Sequence, residues 1–314
     1  MASHAISETA VSGHAVRLLR SPAGVEAVFA PGVGMIGCSL RHAGAELLGQ
    51  GGGLRKYAES GSTMGIPLLH PWANRLDGLH YEVDGSAVHL DPERTPVRFD
   101  GNGLPIHGLA AASPYWEVTR AQADDATATL SARLPFADHP DLLAGFPFPH
   151  ELRVEVRLAG EVLDLETTLH ATGDVAVPVA FGYHPYLRLP AESRSTVEIE
   201  VPVPTRLVLD ERQIPTGERV RAAISPGPLA ERTFDDGFAD VTDGTTFVVR
   251  GSGRTISVTF LEGYHFAQVY APSESEFICY EPMTAPTNAL TSGDSLTRVR
   301  PGDAYSAAFR ISVG

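Results

Sequence analysis

The feature that most constrains this chain is a period-two alternation of apolar and polar residues, which puts one face of an extended strand into a core and the other into water. Between residues 151 and 158, Leu152, Val154, Val156 and Leu158 share one face, and Glu151, Arg153, Glu155 and Arg157 share the other. After Ala159-Gly160 the pattern resumes with Leu163, Leu165 and Leu169, which reads as a hairpin. Val197, Ile199 and Val201 alternate with glutamates; Ile256, Val258 and Phe260 alternate with small polar residues. Tyr305, Ala307, Phe309 and Ile311 repeat the pattern near the end. Such short segments recur from Val16 onward, and the 31 glycines and 24 prolines are spread between them as turns instead of forming a linker. The pattern predicts an all-β chain, a large antiparallel sandwich or barrel. Only residues 54–60 read as a short helical turn. With no internal repeat, and because large all-β folds often exceed 250 residues as one unit, a single domain over residues 1–314 is expected. Residues 1–13 are expected to be a loose N-terminal segment.

Charge and motifs then exclude several function classes. The net charge of −14, from 24 basic and 38 acidic residues, opposes binding to nucleic acid or anionic membranes. Cys38 and Cys279 are too few for a disulfide framework and lack metal-type spacing. The first fifteen residues show no basic n-region or apolar h-region, and no apolar run approaches the roughly 20 residues of a membrane span, so a cytoplasmic protein is expected. Residues 32–37 match G-x-G-x-x-G, yet the chain beyond them reaches Gly44 too soon to open the helix that a pyrophosphate site needs. Among the 12 histidines the closest pair, His80 and His89, is too far apart to share a strand or helix face as metal ligands. No G-x-S-x-G elbow occurs. No metal, nucleotide or other cofactor is expected.

Four segments carry more specific chemistry. Residues 65–76, GIPLLHPWANRL, combine two prolines that stiffen a connection with Trp72, a flat surface able to stack on a sugar ring, and with Asn74-Arg75, donors suited to vicinal hydroxyls. Residues 104–108, LPIHG, hold His107 between a proline-stiffened turn and a glycine, where it either donates to a ligand oxygen or caps a turn. Residues 177–187 end a strand at Gly182 and continue as Tyr183-His184-Pro185-Tyr186. Pro185 excludes His184 from a helix, and an imidazole is suited to protonating an ether oxygen near neutrality. Residues 276–286, EFICYEPMTAP, run an apolar strand into Glu281, on the face of Phe277 and Cys279. A carboxylate there is either at a rim above a pocket or a costly buried charge, and burial would raise its pKa toward that of a general base.

Together these segments resemble the aldose 1-epimerase (galactose mutarotase) family. Pro-Trp-x-Asn-Arg-Leu, Ile-His-Gly, Gly-Tyr-His-Pro-Tyr and Glu-Pro-Met-Thr-Ala-Pro-x-Asn occur in the family's order from about residue 65 to 290. Residues 234–238, FDDGF, resemble a segment whose aspartate binds sugar hydroxyls; alignment on Phe238 selects Asp235, with Asp236 adjacent. Residues 266–270, FAQVY, resemble the strand whose Gln268 helps hold the ring.

The resemblance implies a large antiparallel β-supersandwich of galactose mutarotase-like type and an enzyme interconverting the anomers of a free aldohexose such as galactose or glucose. It implies Glu281 as base for the O1 proton, His184 as acid for the ring oxygen O5, His107 assisting, and Arg75, Asn74, Asp235, Gln268, Trp72 and Tyr186 holding substrate. His184 is expected protonated and Glu281 ionised, giving a bell-shaped pH profile. The partner is then a small sugar, and the protein a monomer or homodimer. One alternative is an epimerase of hexose 6-phosphates or of sugars otherwise modified at C6, with Arg94 and Arg98 as candidate cations. Another is a non-catalytic sugar-binding module, which would have no need of both His184 and Glu281.

Overall fold

The computed structural model describes residues 3–251 and 253–314. Three antiparallel sheets dominate it. The first has five strands in chain order, Ala5–Val11, His14–Arg20, Val25–Ala30, Ile36–His42 and Ala45–Glu46. A nine-stranded sheet places Arg254–Glu262, Ala304–Val313, Val162–Ala171 and His150–Ala159 side by side at its centre. An eight-stranded sheet runs through Phe234–Ala239, Phe266–Ala271, Ile278–Met283 and Gly182–Tyr183 to Leu68–Leu69.

The alternation is realised in the central hairpin. Leu152, Val154, Val156 and Leu158 are buried, Arg153 and Arg157 are exposed, and Leu158 pairs with Leu163 across the turn. Gly160 supplies the positive φ, 58°, of that two-residue turn. The large sheets face each other through such residues: Phe247 meets Tyr280 at 5.2 Å, and Tyr183 meets Phe309 at 5.0 Å. Tyr183 and Tyr280 also bury their hydroxyls, and each finds a partner across the layer, Thr167 Oγ1 at 2.7 Å and the Val248 carbonyl at 2.7 Å. One hydrophobic cluster extends from Leu19 to Val313. Each fully buried Leu or Phe contributes roughly 1.5–3 kcal/mol relative to exposure.

The helical turn expected at residues 54–60 is the helix Gly53–Ser60, which buries Leu54 and Tyr57. The G-x-G-x-x-G residues form turns leading into the strand Ile36–His42, with no helix at the glycines. No helix among the described residues is long and apolar enough to cross a membrane.

The N-terminus corrects an expectation. Ala5–Val11 is a strand paired over its whole length with His14–Arg20 through a turn at Ser12-Gly13, whose φ values are 53° and 86°. Only Ile6 in that strand is partly buried. The ladder is made by backbone while the side chains face water, so no apolar alternation marks the strand in the sequence.

Candidate active site

Two loops, the turn at His184 and four strands bring all the expected residues but Trp72 to one cavity of about 210 Å³, lined by Asn74, Arg75, His107, His184, Tyr186, Asp235, Gln268 and Glu281, with Thr63, Ile106 and Tyr270. Asn74 and His107 both adopt positive φ, 56° and 62°. Asparagine and histidine enter that region more readily than most residues, but at a cost that the surroundings must cover. The His107 amide donates to the Asn74 carbonyl at 2.8 Å, and the Leu109 and Ala110 amides donate to the His70 carbonyl at 2.7 and 3.0 Å. Gly108 (φ 71°) permits this lacing, because a Cβ there would lie 2.2 Å from the His70 carbonyl oxygen.

Strand register places the acidic wall. Gln268 pairs with Glu281, and Gly237 with Gln268, so the three strands present Gln268, Glu281 and Asp235 to one side. Gln268 Nε2 donates to Asp235 Oδ1 at 2.7 Å. Asp236, one residue on, points to the opposite side and pairs with Arg206 at 3.6 Å. Of the two aspartates, Asp235 lines this cavity and Asp236 does not. Arg75 reaches Asn74 Oδ1 at 3.1 Å and Asp235 Oδ2 at 3.8 Å, and donates from Nε to Asp100 Oδ2 at 2.7 Å.

The turn Gly182–Leu187 positions His184. Its amide donates to the Pro67 carbonyl at 3.2 Å, and the Tyr186 amide donates to the Gly65 carbonyl at 2.8 Å. The His184 and Tyr186 rings stack at 4.4 Å, and the Tyr186 hydroxyl meets Thr63 Oγ1 at 2.6 Å. His184 Nε2 lies 3.3 Å from Glu281 Oε1, with the His107 ring 5.5 Å away edge-on. Glu281 is only 1% exposed, and its Oε2 has no hydrogen-bond partner among the described residues.

This burial sets the protonation of the pair. Desolvation raises the Glu281 pKa well above the ordinary carboxylate value, the nearby Asp235 charge raises it further, and Arg75 opposes both. Desolvation, followed by His107, lowers the His184 pKa well below that of a free imidazole. Both directions disfavour charge on the pair, carboxylate and imidazolium alike. The expected charge state, a protonated His184 beside an ionised Glu281, runs against both directions, because neither charge is solvated. His107 is pushed down to about 3 by burial and the charges of Arg75 and Arg98, so it is a neutral donor or acceptor at cell pH.

Trp72 is the expected site residue that the fold places elsewhere. It is 1% exposed, sits in the main core cluster and lines no wall of the cavity, so it is unavailable for stacking on a sugar. Its neighbour Ala73 is fixed by a 2.7 Å hydrogen bond to the Ala180 carbonyl, which directs the indole inward. Sequence reasoning missed Thr63, Ile106, Tyr270 and Asp100. Tyr270 had a signal, since period two puts it on the face of Gln268. Asp100 reads as an ordinary turn residue, and nothing in the sequence joins it to Arg75. Elsewhere, His80 and His89 stack on a hairpin at 4.3 Å, and His70 meets His150 at 2.8 Å inside the core. Among the described residues no group of three His, Cys, Asp or Glu side chains is spaced to hold a metal ion.

The family described as aldose 1-epimerase matches residues 36–312. The chain is 26% identical to protein YihR of Escherichia coli K12 over 260 residues, 78% of this chain and 80% of that protein. It is 28% identical to a maltose epimerase of Levilactobacillus brevis over 170 residues, 52% of this chain but 46% of that longer protein. Among solved structures, a galactose mutarotase-like protein from Clostridium acetobutylicum superposes with a TM-score of 0.86 at 17% identity, over 99% of both chains. That likeness establishes the fold as galactose mutarotase-like. With the family match spanning nearly the whole length, the chain belongs to the aldose 1-epimerase family, a family of isomerases.

Proposed function

We propose that this protein is a mutarotase that interconverts the α and β anomers of a free aldohexose, with galactose and glucose as the first substrates to test. The observation that supports this reading best is the His184–Glu281 contact of 3.3 Å in a cavity whose other wall carries Arg75, Asp235 and Gln268. A binding module needs hydroxyl-holding groups but has no use for a desolvated acid–base pair.

In the mechanism, Arg75, Asp235, Gln268 and Asn74 hold ring hydroxyls, leaving the anomeric end against Glu281 and His184. Ring opening starts from the charged tautomer of the pair. Carboxylate Glu281 takes the O1 proton, the O1 electrons form the C1=O1 double bond, the C1–O5 bond breaks, and imidazolium His184 gives its proton to O5. The pair ends as carboxylic acid and neutral imidazole, the distribution that burial favours, so desolvation stabilises the ring-opened stage. Rotation about C1–C2 presents the other carbonyl face, and the same protons return as O5 re-attacks C1. Neutral His107 donates a hydrogen bond near the ring oxygen. Acid–base steps of this type contribute on the order of 10²–10⁴-fold.

The test is exchange between the α and β anomer signals of galactose and of glucose at equilibrium, followed by NMR. Exchange rates that rise in proportion to protein concentration are expected. Exchange no faster than in buffer, for these sugars and for C6-modified ones, would overturn the reading.

A further inference from the structure

We infer that His70 and His150, a buried pair outside the cavity, are positioning residues for the proposed reaction: the single hydrogen bond between their rings sets where the His107 loop sits. The inference rests on the mutarotase reading above. His70 follows the strand Leu68–Leu69 of the eight-stranded sheet, and His150 opens the strand His150–Ala159 of the nine-stranded sheet. Their Nε2 atoms lie 2.8 Å apart, so the pair joins the two sheets. Phe136, Phe146 and Phe181 pack around the His70 ring, and Phe136 stacks on that of His150 at 4.3 Å. Neither histidine is more than 1% exposed. The proton transfers proposed above use neither of them.

The hydrogen bonds admit one arrangement of protons. The Phe148 carbonyl, 2.7 Å from His150 Nδ1, can only accept, so Nδ1 carries the proton of that ring. Burial disfavours charge on both rings, so each holds one proton. His150 Nε2 is then a bare acceptor, His70 Nε2–H is the donor, and His70 Nδ1 is left with no partner among the described residues. A contact of this kind is shorter than any apolar one. Carbon atoms in place of the two nitrogens would rest about 3.5–4.0 Å apart, which moves the rings away from each other by roughly 1 Å. The displacement falls on residue 70, whose carbonyl holds the Leu109 and Ala110 amides at 2.7 and 3.0 Å and whose backbone bridges Gly108. Immediately before Gly108 stands His107, with its ring 5.5 Å from that of His184. Arg75 is anchored separately by Asp100, and Ala73 by the Ala180 carbonyl. The pair therefore bears on the proton-transfer end of the cavity more than on the end that holds hydroxyls.

The experiment combines nitrogen NMR of the wild-type histidine rings with kinetics of variants on whichever aldohexose the wild type turns over fastest. Between about pH 6 and 8, where a free imidazole titrates, His150 is expected to carry its proton on Nδ1 alone and His70 on Nε2 alone. A His70 proton on Nδ1, or a charge on either ring in that range, would overturn the inference, and this measurement needs no variant to fold. His150→Phe leaves the His70 N–H unpaired in an apolar core and should lose both thermal stability and kcat. The double variant His70→Phe/His150→Phe buries no unpaired group and should regain stability. Its kcat is nevertheless expected to stay about tenfold to a hundredfold low, the scale of a misplacement of roughly 1 Å, with KM little changed. His150→Gln, which keeps an acceptor for the His70 N–H, should retain more of kcat than His150→Phe. Wild-type kcat in the double variant, a loss carried in KM, or equal losses in His150→Gln and His150→Phe would overturn the inference while leaving mutarotation intact. Wild type that accelerates no sugar would instead remove the mutarotase reading, and the positioning role with it.

Discussion

Asp100 lines no wall of the cavity, yet it anchors Arg75, the arginine proposed to hold the sugar's hydroxyls. Its Oδ2 accepts from Arg75 Nε at 2.7 Å, and its Oδ1 accepts from the Asn102 and Leu104 amides at 2.8 and 2.9 Å. The Asp100 side chain is 7% exposed and that of Arg75 15%, so solvent screens the contact little. Consider Asp100→Asn. The retained amide oxygen can still accept from the two backbone amides, but the new NH₂ faces Arg75 Nε, donor against donor. The loss is one charge-assisted hydrogen bond, about 1.5–3 kcal/mol, and a destabilisation of about 2 kcal/mol is expected in urea unfolding at pH 7. If half or more of that energy is what orients Arg75 toward the sugar, polarimetric kcat/KM falls about tenfold, since 1.4 kcal/mol is one decade. The fall should be carried mainly in KM, because Arg75 holds hydroxyls and takes no part in proton transfer. Burial tends to raise the Asp100 pKa, but the Arg75 bond and the two backbone amides outweigh it, and the net shift is downward. A depressed carboxyl contributes stability that is present above its unfolded value and lost as pH falls through the lower folded value. The difference between wild type and variant is therefore full at pH 7 and shrinks only below the ordinary aspartate value of 3.8. Wild-type kcat/KM in a folded Asp100→Asn protein would refute the positioning role, and unchanged unfolding would refute the energetics.

The same geometry sets three further outcomes. The proposed His184–Glu281 pair works with one proton, so kcat/KM should fall toward both ends of the pH range. The acid limb comes from a second proton on His184, below its unperturbed 6.5, and the alkaline limb from loss of the Glu281 proton, above its unperturbed 4.5. A profile with a single limb across the range where the fold persists would contradict the shared-proton pair. Gly108→Ala forces a side chain into φ 71° at roughly 1–2 kcal/mol and drives its Cβ against the His70 carbonyl, so both stability and kcat/KM should drop as His107 shifts; unchanged thermal unfolding would count against this. Trp72→Ala should cost roughly 3–5 kcal/mol of stability, while Trp72→Phe leaves KM nearly unaltered; a KM rise with little loss of stability would restore the stacking role.

What the sequence revealed and what it hid divide along physical lines. Strands buried on one face, such as His150–Ala159, announce themselves by alternation, and the turn residues between them reflect backbone sterics. Glu281 was legible for a related reason, since an acid that follows an apolar strand stands out against its pattern, whereas Asp235 and Gln268 emerged only through the family resemblance. Ala5–Val11 left no trace because hydrogen-bonded backbone at an exposed edge needs no apolar side chains. Trp72 misled because an indole beside a proline-stiffened loop looks the same whether it faces a ligand or the core, and a backbone bond to Ala180 decides between them. Asp100 and Thr63 were hidden because their significance lies in contacts with Arg75 and Tyr186, far away in the chain. The charge state of the pair was also hidden, since it depends on burial of two groups that the fold alone brings together.

The central claim is that a sugar's anomeric proton is moved by Glu281. The most direct measurement is the polarimetric relaxation of freshly dissolved α-D-glucose and α-D-galactose, with wild type and with Glu281→Gln, which keeps the side chain's size and removes its basicity. Relaxation faster than buffer is expected with wild type for at least one sugar, with a return to the buffer rate in the folded variant. Glu281→Gln that relaxes the sugar as fast as wild type would contradict the claim.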